Sequence, residues 1–154
     1  MPIAWDSGEA PDTSAWGAAI GKAVSAVDTK AIGEAKAATQ QLISAANSGH
    51  FRISEGAVTP LRNALVEMQS RLDRLSAETF FWITQAPKLG SHDYGQTVAQ
   101  HDQKGGGGAA GSAAAVADQL RQVLEDADKA LGQAVKNYQE NEAATAQGLA
   151  TREA

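Results

Sequence analysis

The chain has 154 residues, a formal charge of −5, no cysteine and 5% aromatic residues. That composition suits one domain, or one compact helical body with tails. It excludes a disulfide framework and thiolate chemistry, and it lacks the clustered Lys and Arg that nucleic-acid binding needs.

The first residues, Met1 to Glu9, have neither a basic start nor an apolar core, so they do not read as a cleaved signal peptide. Apolar stretches are short and alanine-rich, so no transmembrane segment is expected. Alanine favours helices and their close approach, and β-branched residues never alternate over a strand's length. The expected class is all-α: an elongated antiparallel helical bundle of three long helices plus one short helix, with a Gly-rich linker.

Residues 1–13 read as a disordered N-terminal arm with Trp5 as its anchor. A first helix is expected over 14–47, where Ile20, Val24, Val27, Ala31, Ala38, Leu42 and Ala45 keep a three-or-four spacing. Gly17, Gly21 and Gly33 weaken it by about 1 kcal/mol each, and a break fits best near Asp28 and Thr29. Gly49 stops it as the residue after the cap.

A second helix is expected over 54–84. Ser54 is its candidate cap, with Thr59 capping ahead of Pro60 as the alternative start. Val58, Leu61, Leu65, Met68, Leu72, Leu75, Thr79 and Trp82 make a heptad seam, and Pro87 ends the element. A short helix over 94–103 breaks what would otherwise be an overlong loop. Asp93 and Gln96 form a capping-box pattern there, and Tyr94, Val98 and His101 share a face. Residues 104–111, with glycines from Gly105 to Gly108, read as a flexible linker. The last helix is expected over 112–147 on a stripe of Val116, Leu120, Leu124, Ala127, Leu131, Val135 and Tyr138. Residues 148–154 read as a disordered C-terminal tail. Each long helix would measure about 45 Å.

Few constellations carry chemistry. His92-Asp93 and His101-Asp102 are the candidates for a metal or acid–base site, but their spacing matches no ligand motif and solvated residues are the preferred reading. His50 reads as a helix-end hydrogen bonder. Lys104 precedes its glycines and follows no strand, unlike a phosphate-binding loop. Glu125 and Asp126 belong to a solvated face. No catalytic, metal or cofactor-binding residue is assigned, and the chain reads as a non-enzyme. Phe80, Phe81 and Trp82 are consecutive and cannot share one helical face. One or two must leave the core, which makes them the candidate partner interface; burial on three sides at the bundle end is the competing reading. Tyr138 and Glu142 are four apart late in the last helix, so ring and carboxylate project from one face.

Across roughly residues 35–147 the chain resembles the small helical substrates of actinobacterial type VII secretion systems, including WxG-type hairpins and PE-type domains. The carriers are the turn from Ser48 to Glu55, the seam helix, Trp82, the segment from Ala86 to Gly90, and the last helix with Tyr138 and Glu142. The resemblance implies that Tyr138 and Glu142 form a Tyr-x-x-x-Glu export signal. It also implies a secretion ATPase or chaperone as partner, a helical homo- or heterodimer, and export by a signal-peptide-independent route. The chain departs from the family at Trp82-Ile83-Thr84, which lacks the glycine of the Trp-x-Gly turn, and at Trp16-Gly17, where the two residues are adjacent. A partner that supplies the turn, or an internal substitute for it, is then expected. The alternative is a cytosolic helical adaptor or scaffold, or a secretion chaperone with no export signal, in which Tyr138 simply closes the apolar stripe.

Overall fold

The computed structural model describes residues 13–26 and 29–150, and all regular structure among them is helical. The expected arm up to Asp12, with Trp5, and the end of the expected tail, 151–154, lie outside the described residues. The elements are α1 (Thr13–Ala26), α2 (Thr29–Asn47), α3 (Glu55–Leu75), a π-helical turn (Ser76–Phe80), α4 (Phe81–Ile83), α5 (Asp93–Gly106) and α6 (Ala113–Ala150).

The expected first helix is two helices. Residues 27 and 28, beside the expected break, fall outside the described residues. α1 lies antiparallel on α2: Lys22 pairs with Glu34 at 3.0 Å, and Trp16 Nε1 donates to Thr39 Oγ1 at 3.2 Å. Trp16 and Thr39 are both buried, so the indole N–H and the hydroxyl satisfy each other where water is excluded.

α6 is the central element, with α2 along one flank and α3 along the other. α3 runs antiparallel to α6. Arg62 grips Asp128 with two bonds of 2.7 and 2.8 Å, and Arg121 bonds Asp73 at 3.2 Å and the Ser76 hydroxyl at 3.1 Å. Reversal of the chain at 48–54 makes α2 parallel to α6. The buried faces run from Ala31 to Ala46 on α2 and from Val116 to Ala134 on α6. Alanine recurs on the buried faces of α2 and α6 as Ala31, Ala35, Ala46, Ala117, Ala127, Ala130 and Ala134. Small side chains let the two backbones approach, which explains a core so poor in aromatics.

The turn between α2 and α3 is part of the core. Gly49 adopts φ of 76°, which a glycine takes without steric cost, and ends α2 as the sequence predicts. Phe51 and Ile53 then point inward and are 1% and 3% exposed. Asn137 on α6 holds this turn: its Nδ2 donates to the Ala46 carbonyl at 2.6 Å and to the Phe51 carbonyl at 3.2 Å.

The expected heptad seam of α3 is only half inside. Val58, Leu65 and Leu72 are buried and Met68 partly so, whereas Leu61 and Leu75 are 39% and 52% exposed. The seam then meets the π turn, which takes an extra residue. A strict heptad from Leu72 would bring Thr79 inside; the insertion brings Phe80 instead, against the core, and leaves Thr79 exposed.

The glycine segment also differs from expectation. α5 begins one residue earlier than predicted and runs through Gly106, so Lys104, Gly105 and Gly106 form its last turn rather than a linker. Its start has no side-chain cap bond: Asp93 is already helical, and Gln96 donates to the carbonyls of His92 and Ser91 instead. Tyr94 and His101 are exposed, and it is Ala99 and Gly106 that are buried. The turn into α6 spans 107–111, where Gly108 and Gly111 adopt φ of 85° and 83°.

The Arg62–Asp128 pair gives the fold a pH signature. The hydrogen bonds from Arg62 hold the Asp128 carboxyl below its ordinary value. A depressed carboxylate contributes stability above the unfolded value of about 4 and loses it as pH falls through the folded value. Both side chains are partly exposed, so the contribution is at most about 1 kcal/mol. Urea titrations of wild type and Asp128→Asn should differ by this amount at neutral pH and converge in acid. A constant difference at all pH values would exclude an ionic contribution.

Candidate functional site

The two sets of residues singled out in the sequence lie at opposite ends of α6. At one end the apolar stripe of α6 outlasts its cover. Val135 and Tyr138 are half-buried, and every residue from Gln139 to Ala150 is exposed. This arm is about 18 Å of helix. It carries Glu140 and Glu142 but no Lys or Arg.

At the base of the arm Tyr138 Oη donates to Glu142 Oε1 at 2.7 Å. The i,i+4 spacing puts the two side chains on one face, and the hydrogen bond fixes their relation. That bond raises the Tyr138 phenol above its ordinary value, because loss of the proton would set a phenolate against a carboxylate. The preceding residue, Asn137, is anchored to the α2–α3 turn, so the Tyr–Glu pair starts from a fixed point. The hydroxyl–carboxylate pair is exposed to solvent, while the ring is half-buried.

At the other end the helical path through Ser76 to Ile83 divides the three aromatics. Phe80 packs against the core; Phe81 and Trp82 are 58% and 70% exposed. Their rings meet edge to face with centroids 5.2 Å apart and planes at 82°. Thr84 closes this stretch by donating its hydroxyl to the Phe80 carbonyl at 2.8 Å.

The chain after Ile83 lies along α5 and is held there by glycines. A Cβ at Gly106 would overlap the Ile83 carbonyl oxygen, one at Gly107 would overlap the Thr84 methyl, and one at Gly95 would overlap the Leu89 carbonyl. The spacing is consistent: six extended residues and eleven helical ones each span about 17–20 Å. A hollow of about 520 Å³ opens between this segment, the end of α5 and the start of α6, with Trp82, Pro87, His101 and Asp102 on its walls.

The sequence did not signal these close contacts, nor the roles of Trp16, Phe51, Ile53 and Asn137. It does place Tyr138 beside Glu142, because that relation is local. The expected antiparallel bundle places Trp82 toward the far end; the hollow it stands beside, rimmed by Ala113 about 38 Å along α6 from Tyr138, has no signal in the sequence. Within one chain the tryptophan and the tyrosine therefore stay apart. His92, just before α5, and His101 within it are about 14 Å apart along the helix axis and do not converge. Among the described residues no group of three His, Cys, Asp or Glu side chains could hold a metal ion. No described helix is long and apolar enough to cross a membrane.

No family model, curated protein or solved structure matches the chain.

Proposed function

We propose that this chain is a non-enzymatic helical substrate or partner of a type VII secretion system, recognised through Tyr138 and Glu142. One observation carries the reading. The Tyr–Glu pair is hydrogen-bonded at the base of a helical arm whose remaining residues are all exposed. A receptor can close around such an arm without unfolding the bundle. The tyrosine supplies apolar area and a hydroxyl at low entropic cost, and the two glutamates favour a basic groove on the secretion ATPase or its chaperone. Export then follows a route that reads a folded helix, with a helical partner supplying the tryptophan turn.

A cytosolic adaptor or scaffold, or a secretion chaperone, is the competing reading. It is favoured by the half-burial of Tyr138, where the ring ends the α6 stripe. Export separates the two. In an actinobacterial host with a working type VII system, wild type should appear in the culture filtrate. Tyr138→Ala should stay in the cell pellet while keeping its helicity and melting temperature. Tyr138→Phe keeps the ring and loses the bond to Glu142, so partial export would rank ring above hydroxyl. Equal retention of wild type and Tyr138→Ala, or loss of the fold in the alanine variant, would favour the adaptor.

A further inference from the structure

The hollow beside Trp82 has a chemistry that neither the arm nor the core uses. Trp82 offers an indole that is 70% exposed and braced by Phe81. Among the described residues on the walls, Asp102 is the only one formally charged when histidine is neutral. Among the described residues no Lys or Arg pairs with it, and the His101 ring nitrogen at 4.0 Å is beyond hydrogen-bond reach.

The end of α5 adds to the same sign. Gly105 and Gly106 line the hollow, and the last carbonyls of a helix have no intrahelical donor. One of these carbonyls, that of Gln103, is already taken by the Gly107 N–H at 2.8 Å. The start of α6 at Ala113 works the other way, but Ser112 caps it by accepting from the Ala115 N–H at 3.3 Å. The balance favours a cation. The close glycine contacts hold α5 and the Ile83–Thr84 backbone in fixed relation, so the walls are set before a ligand arrives.

We propose that this hollow seats an arginine side chain of a partner protein, the guanidinium stacked on Trp82 and its N–H groups directed to Asp102. A guanidinium is flat enough to lie on an indole and keeps in-plane donors free for a carboxylate, which a lysine ammonium does not. An acidic chain, at −5 overall, suits a basic partner. The site is independent of the Tyr138 reading and lies at the other end of the molecule.

The test uses the full ¹⁵N-labelled chain and the peptide acetyl-Ala-Arg-Ala-amide, with the citrulline peptide as a neutral isostere and the lysine peptide as a charge control. The Trp82 indole N–H resonance is assigned through Trp82→Phe. It should shift saturably with the arginine peptide, and Asp102→Asn should weaken binding by about fivefold. Trp82 and Asp102 are exposed, so both variants should keep the wild-type circular dichroism spectrum. A resonance that does not move, or moves equally with citrulline, overturns the site. An equal response to lysine overturns the choice of arginine, and an unchanged affinity in Asp102→Asn removes the carboxylate from it.

Discussion

Phe51→Ala should destabilise the protein by about 3–5 kcal/mol, the largest loss expected from truncating one side chain. Phe51 is the bulkiest of the fully buried side chains, and it sits in the turn that joins α2 to α3. Its amide donates to the Ala45 carbonyl at 3.0 Å, and its carbonyl accepts from Asn137. The backbone is thus fixed from both sides and cannot collapse into the space the ring leaves. Residual cavity, rather than transfer alone, then sets the cost. Against a typical total of about 5–15 kcal/mol, much of the folded population is at risk. Urea denaturation would report a lower midpoint with an unchanged slope. A loss under about 1 kcal/mol would mean that the turn refills the gap and that Phe51 is not the plug.

That residue also marks where sequence reading stops. The helical class, the glycine stop after α2 and the apolar face of α6 follow from local spacing, and spacing is visible in a sequence. Phe51 and Ile53 lie between helices with no period to flag them, and only the approach of α6 makes them core. The α3 seam shows the next limit. A heptad pattern identifies a face, but one inserted residue in the π turn rotates everything after it. Trp82 therefore leaves the stripe it seemed to extend, and Phe80 takes the place expected of Thr79. Thr39 illustrates a third limit. It is polar and looks like a solvent position, yet Trp16 from α1 buries and satisfies it.

The candidate sites divide along the same line. Tyr138 and Glu142 are four residues apart on one helix, so their hydrogen bond was legible in the sequence. Their separation from Trp82 is not local: it follows only from the antiparallel arrangement expected of the bundle, in which α3 does run antiparallel to α6. The chain therefore presents two independent surfaces. One is an acidic helical arm with a tyrosine at its base. The other is an aromatic end with a carboxylate in a hollow. A partner that used both would have to extend along most of the bundle.

Gly105 and Gly106 give the sharpest contrast between a glycine that is flexible and one that is tightly packed. Both lie in the last turn of α5. A Cβ at Gly105 meets nothing within 4 Å, whereas one at Gly106 would overlap the Ile83 carbonyl oxygen. Gly105→Ala should therefore be neutral or stabilising by up to about 1 kcal/mol, the ordinary helical gain over glycine. Gly106→Ala has the same gain available but must push a backbone carbonyl aside, which costs about 1–3 kcal/mol or more. The overlap is with backbone rather than with a pliant side chain, so the cost wins. α5 buries little besides Ala99 and Gly106, so the loss should appear as local undocking rather than global unfolding. Hydrogen exchange should then rise in α5 and in the segment from Ile83 to Leu89, while the amides of α2 and α6 stay protected. The hollow beside Trp82 should lose its shape in the same variant, because Gly106 and Ile83 both line it. If the glycines were a linker, both variants would behave alike. Opposite signs from neighbouring glycines require that Gly106 is where α5 is fastened to the end of α4.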